Sequence, residues 1–155
     1  MEAINLFISS IIKENVVLTK FLGLNFNEKI NYIYIVLTTL ITGIITYVLN
    51  SITKLPFLTF FIATIVIVLI TLLLKKVNIK TSNMMNTAIL GIVILGLDYS
   101  LINYIFYILG SLLGLLLIYY ILSILSKRLE ESKLGLESII FITIGIISII
   151  FTRIG

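Results

Sequence analysis

Charged residues in this chain fall in short clusters, and the stretches between them stay apolar for long runs. That alternation constrains the fold more than any single motif does, because ~20 apolar residues in a helix cross ~30 Å of hydrocarbon. Six segments can be drawn, at Ile4–Leu24, Ile30–Asn50, Leu55–Leu74, Thr87–Leu97, Leu101–Leu125 and Ser138–Phe151. With 60% hydrophobic and 12% charged residues, a chain of this length has too little charge to cover a soluble surface. Most segments are apolar all round, as lipid-embedded helices are. The expected fold is an all-α membrane protein, one integral domain over residues 1–155. Met1-Glu2-Ala3-Ile4 lacks a basic stretch and a small-residue cleavage site, so it reads as the start of the first segment and not as a removable signal.

Two segments are faulty. The first is long enough, but Lys13, Glu14, Asn15 and Lys20 interrupt it. Charges at that depth cost several kcal/mol unless they are paired, snorkel or face the protein interior. The fourth is only Thr87–Leu97, which reaches about half the hydrocarbon thickness as helix. Thr81-Ser82-Asn83-Met84-Met85-Asn86 before it would then enter the membrane as non-helical or re-entrant backbone. Segments one and four are corresponding members of two three-helix halves. Interrupted helices in corresponding positions point to two inverted three-helix repeats, with helices 1 and 4 broken or half-length and a site near the midplane. A weak echo, Asn15-x-x-Leu18 against Asn86-x-x-Ile89, agrees.

Loop charge gives the expected orientation. Lys29, Lys75, Lys76, Lys80, Lys127, Arg128 and Lys133 follow the odd segments, while only Lys54 and Arg153 lie on the other side. By the positive-inside rule the odd loops are cytoplasmic and both termini lie outside. The same rule accounts for the net charge of +4 without nucleic acid as a partner. The chain has no cysteine, histidine or tryptophan, which removes thiolate and imidazole chemistry from it. The tyrosines fall mostly near segment ends and read as an interfacial belt. Gly110-Ser111-Leu112-Leu113-Gly114 has the GxxxG spacing of a helix–helix contact.

The two faulty regions also resemble a known family. Glu14-Asn15-Val16-Val17-Leu18-Thr19-Lys20-Phe21-Leu22-Gly23-Leu24-Asn25 follows a motif that reads roughly N-N-x-x-L-V-K-F-L-G-L-C-P, and Met84-Met85-Asn86-Thr87-Ala88-Ile89-Leu90-Gly91 follows T-T-N-C-A-x-L-G. Both belong to the RnfA/NqrE family, six-helix subunits of the Rnf and Na⁺-pumping NADH:quinone oxidoreductase complexes. The basic Ser126-Lys127-Arg128-Leu129-Glu130 and the last segment with Gly145 also fit. The resemblance implies a multi-pass subunit of a bacterial or archaeal plasma membrane. Its partners would be a homologous RnfE/NqrD-like subunit and the other Rnf/Nqr subunits, coupling electron transfer to Na⁺ or H⁺ movement. Such a subunit is not catalytic alone. In the family, each of the two related subunits gives one cysteine per motif to a shared iron–sulfur cluster at their interface. Here Asn25 and Thr87 stand at those positions, and neither an amide nor a hydroxyl replaces a thiolate on iron.

The candidate residues carry more than one reading. Asn25 and Thr87 are relics of a cluster site, cation ligands, or caps of half-helix ends. Glu14 beside Lys13 is an ion site or a neutralised pair, with Asn15 and Asn86 as further ion-path candidates. Asp98 is a solvated loop residue or the mouth of an ion path. A small secondary transporter, a transporter membrane subunit and a non-catalytic membrane scaffold remain as alternatives.

Overall fold

The computed structural model describes residues 2–20, 22, 31–129 and 136–153. Among these, helix is the regular structure: α1 (Glu2–Ile12), α2 (Val16–Lys20), α3 (Tyr32–Thr53), α4 (Pro56–Lys76), α5 (Asn83–Leu95), α6 (Leu101–Leu129) and α7 (Leu136–Arg153). Three stretches are long and apolar enough to cross a membrane, Tyr32–Thr53, Phe57–Lys76 and Leu101–Leu125. Shorter apolar helical stretches cover Glu2–Ile12, Met85–Leu95 and Ser138–Ile150. Large apolar side chains such as Phe57, Leu73, Ile52 and Ile142 point outward and stay exposed. In lipid that exposure costs nothing, and helices associate through close packing and hydrogen bonds instead.

Local chemistry sets the helix ends. Asn31 caps α3, its side chain accepting from the Ile33 N–H at 3.0 Å. Lys54 ends α3 in the left-handed region, φ 52°, and its N–H returns to the Asn50 carbonyl at 2.9 Å. Pro56 then opens α4, where a missing N–H is harmless. The Thr59 hydroxyl donates to Asn50 Oδ1 at 2.9 Å and closes the α3–α4 hairpin. Lys75 and Lys76 sit in the last turn of α4, where they complement the helix dipole.

The bundle is organised around α6. Tyr104, fully buried on α6, puts its phenol 3.2 Å from the carbonyl oxygens of both Gly43 on α3 and Val93 on α5. Tyr47 stacks on Tyr104 with ring centroids 4.8 Å apart, and Tyr99 tilts against Tyr107 at 5.4 Å. Gly96 makes room for this cluster, since a Cβ there would stand 2.6 Å from the Tyr107 ring. Tyr32 and Tyr120 are exposed, and Tyr47, Tyr99 and Tyr119 are half-buried. Tyr34, Tyr104 and Tyr107 are core residues, because their phenols find backbone or amide partners inside the bundle or their rings pack together there.

Helix directions follow from the contacts. Gly110 and Gly114 face the carbonyls of Phe7 and Ile11 in the same order, so α1 runs parallel to α6. The order of ties from α3 to α5, Tyr34 to Asn86 and then Gly43 through Tyr104 to Val93, makes those two helices parallel as well.

A candidate functional site where the two stretches meet

The first apolar segment breaks at Lys13-Glu14-Asn15. The N–H groups of Lys13 and Glu14 both reach back to the Ser9 carbonyl, at 2.8 and 3.0 Å, and α1 stops there. Asn15 holds both broken ends. Its Oδ1 accepts from the Val17 N–H at 2.9 Å and from the Leu18 N–H at 3.4 Å, which caps α2. Its Nδ2 donates to the Ile11 carbonyl at 3.0 Å, satisfying a carbonyl at the end of α1. The Asn15 carbonyl in turn accepts from the Thr19 N–H at 2.8 Å and the Thr19 hydroxyl at 2.9 Å. Only a carboxamide of this length supplies donor and acceptor together, and Asn15 is completely buried.

The break is seated on the α6 glycines. A Cβ at Gly114 would stand 2.5 Å from both Asn15 Nδ2 and the Ile11 carbonyl oxygen. A Cβ at Gly110 would overlap Ser10 Oγ and the Phe7 carbonyl. The GxxxG spacing thus marks a real contact, and its glycines are needed for room.

Glu14 and Lys13 lie in the break itself, outside helical backbone; Lys13 is exposed and Glu14 partly so. The Tyr99 phenol lies 3.5 Å from Glu14 Oε2, the outer limit of a hydrogen bond. Burial pushes the Tyr99 phenol above its ordinary value, and the negative charges of Glu14 and Asp98 push it further. Asp98 is exposed.

The second stretch differs from expectation. The helix begins at Asn83, not at Thr87, so only Thr81 and Ser82 of the preceding polar run are non-helical. The reason is tertiary. Asn86 Oδ1 accepts from the Tyr34 phenol, and the Thr71 hydroxyl lies 3.4 Å from it. The Tyr34 phenol also stands 3.3 Å from the Ser82 carbonyl. A polar first turn is acceptable within the bundle once α3 and α4 supply its partners. Thr87 lies inside α5 with its side chain exposed, so it does not cap a helix end. Asn25 lies outside the described residues.

The two stretches come together across α2 and α5. Gly91 opens the contact, with Leu22 Cδ1 2.7 Å and Val16 Cγ1 3.8 Å from the position a Cβ would take. A surface groove of about 450 Å³ runs along this junction, lined by Lys20, Leu22, Phe60, Thr87, Leu90 and Gly91 among others. Its lining is apolar apart from Lys20 and Thr87. Iron does not fit this donor set, because a hydroxyl and an ammonium are not soft anionic ligands. The structure thus brings Lys20, Thr87 and Gly91 together at one groove, seats Asn15 on Gly114 of α6, sets Glu14 beside Tyr99, and holds Asn86 against α3 and α4.

One set of residues escaped the sequence reading. Tyr34, Thr38, Thr42, Thr46 and Asn50 recur every fourth position along α3, and the first four are fully buried. Their regular spacing was visible in the sequence as a polar i, i+4 row inside an apolar helix.

No family model matches this chain, and no curated protein or solved structure matches it.

Proposed function

We propose that this chain is a membrane subunit of an Rnf/Nqr-type electron-transport complex that is degenerate at the iron–sulfur site. It pairs with a homologous RnfE/NqrD-like subunit and helps build the membrane core through which such complexes couple electron transfer to Na⁺ or H⁺ movement. The observation that carries this reading is the junction of the two stretches. Residues resembling the family's two motifs are far apart in sequence, yet α2 and α5 meet at Gly91 beside Thr87.

The finer architecture belongs to the same proposal. α1 and α2 together form the first crossing, α5 a short fourth and α7 the sixth, arranged as two inverted three-helix repeats with both termini outside. Parallel α1 and α6 serve as crossings one and five, and parallel α3 and α5 as crossings two and four. Alternating crossings require those pairs to share a direction.

The test is gentle affinity purification from the native membrane with every co-purifying protein identified. Recovery of an RnfE/NqrD-like subunit with flavin-bearing and iron–sulfur subunits is the expected result. Recovery of the chain without any such subunit would sink the proposal. A second reading, a small secondary transporter, draws on Glu14 standing in the break beside Tyr99. Under it, Glu14→Gln abolishes ion or solute flux in vesicles containing the purified chain. The unsuitable donor set at Thr87 favours a third role, a non-catalytic scaffold, in which assembly survives without flux.

A further inference from the structure

The row Tyr34, Thr38, Thr42, Thr46 and Asn50 forms one i±4 ridge of α3, inclined to its axis and extending on the order of 24 Å at 1.5 Å per residue. Its two ends are satisfied by the protein. The Tyr34 phenol reaches Asn86 Oδ1 and stands 3.3 Å from the Ser82 carbonyl, and Asn50 Oδ1 accepts from the Thr59 hydroxyl at 2.9 Å. The middle is different. Thr38, Thr42 and Thr46 are each 0% exposed, and none of their hydroxyls has a hydrogen-bond partner in the protein.

A helical threonine has an easy remedy for a buried hydroxyl, which is to donate to the carbonyl four residues back. Thr39, Thr53, Thr64, Thr71 and Thr143 all do so, at 2.7 to 2.9 Å. Thr38, Thr42 and Thr46 do not, although Thr39 adjoins Thr38 on the same helix. Three consecutive members of one ridge have thus left the local bond unmade, in the region where α3 packs on α4, α5 and α6. An orphaned buried hydroxyl is costly, and three in a row call for a shared partner.

Spacing identifies that partner. Side chains four apart on a helix stand ~5–6 Å from each other. Two hydrogen bonds of ~2.8 Å through one water molecule cover that distance. A metal cation would need several oxygens converging within ~2.5 Å, which hydroxyls ~6 Å apart along a ridge do not provide. The ridge also carries no carboxylate. We propose that the Tyr34–Asn50 ridge of α3 binds a file of ordered water molecules bridging Thr38, Thr42 and Thr46 inside the bundle. The file joins the Asn86 cluster at one end to the Asn50–Thr59 pair at the other. It rests on the three hydroxyls alone and stands whether or not the chain belongs to a redox complex.

Water-edited solid-state NMR of the threonine- and alanine-labelled chain in lipid bilayers tests this directly. Magnetisation from water should reach Thr38, Thr42 and Thr46 well ahead of Ala63 and Ala88, which are equally buried but apolar. Transfer to the threonines as slow as to those alanines overturns the proposal. Thr42→Val supplies an independent sign. In a hydrated ridge it strands bridging waters and lowers Tm, by ~2–4 °C. In a dry one it removes an orphaned polar group, and an unchanged or raised Tm overturns the proposal. Should the valine variant not fold, the labelled unsubstituted protein still decides.

Discussion

At the α1–α2 break, one buried side chain closes both helix ends with bonds no more than four residues long in sequence: Asn15 to Ile11, Val17 and Leu18. At the start of α5, the capping position Ser82 makes no side-chain cap bond, and the first turn is held from a distance by Tyr34 and Thr71. The two interruptions look alike in sequence, each an asparagine ahead of an apolar run. They differ in what they depend on. The first carries its own cap and needs only a seat, which the α6 glycines provide. The second draws its side-chain partners from α3 and α4. A shared sequence pattern therefore does not imply a shared means of support.

Four variants separate the two. Gly114→Leu should have the largest effect, because its side chain meets the rigid backbone of α1 at Ile11 as well as Asn15. Loss of more than ~3 kcal/mol, or of folded protein altogether, is expected on thermal unfolding in detergent. Asn15→Leu comes next, at ~2–3 kcal/mol, since it removes a cap and strands the Ile11 carbonyl. Hydrogen exchange should rise at the Val17 and Leu18 amides while the α5 amides stay protected; equal loosening of α5 would mean that the two interruptions act as one unit.

Tyr34→Phe should cost ~1 kcal/mol. Its exchange pattern should be the reverse, with the Asn86 amide loosened and α2 unchanged. The smallest effect belongs to Tyr99. Its phenol holds its proton more tightly in the folded chain than the ordinary value of 10.0. The folded state then binds more protons than the unfolded one once pH passes about 10, so the stabilisation is complete below that pH and is lost as pH rises further. A Tm that declines above about pH 10, less steeply in Tyr99→Phe, is the expected result; parallel pH profiles for the two proteins would remove Tyr99 from the account.

Much of this was legible in the sequence. Lys13, Glu14 and Asn15 cannot continue a lipid-facing helix, so the first break was evident from polarity. Gly110 and Gly114 announced a close contact, though not that α1 fills it. The start of α5 was misjudged because polarity was taken to exclude helix, whereas Asn86 is satisfied by Tyr34, a residue 52 positions away. Tyr104 and Tyr107 were misjudged for a related reason: position near a segment end favours an interface, but the partners that bury them lie on other helices. The threonine ridge was missed because threonine passes unremarked in a membrane helix unless its spacing is counted.

The seat of α1 has a consequence for how the chain is made. α1 is made before α6, and the glycines that receive it lie about 100 residues later, on α6. An 11-residue helix is only about 16 Å long and does not cross a bilayer by itself. Until α6 is made, α1 lacks the glycine seat that it has in the folded chain. Chains truncated before α6 are expected to expose it to protease, and full-length chains to protect it.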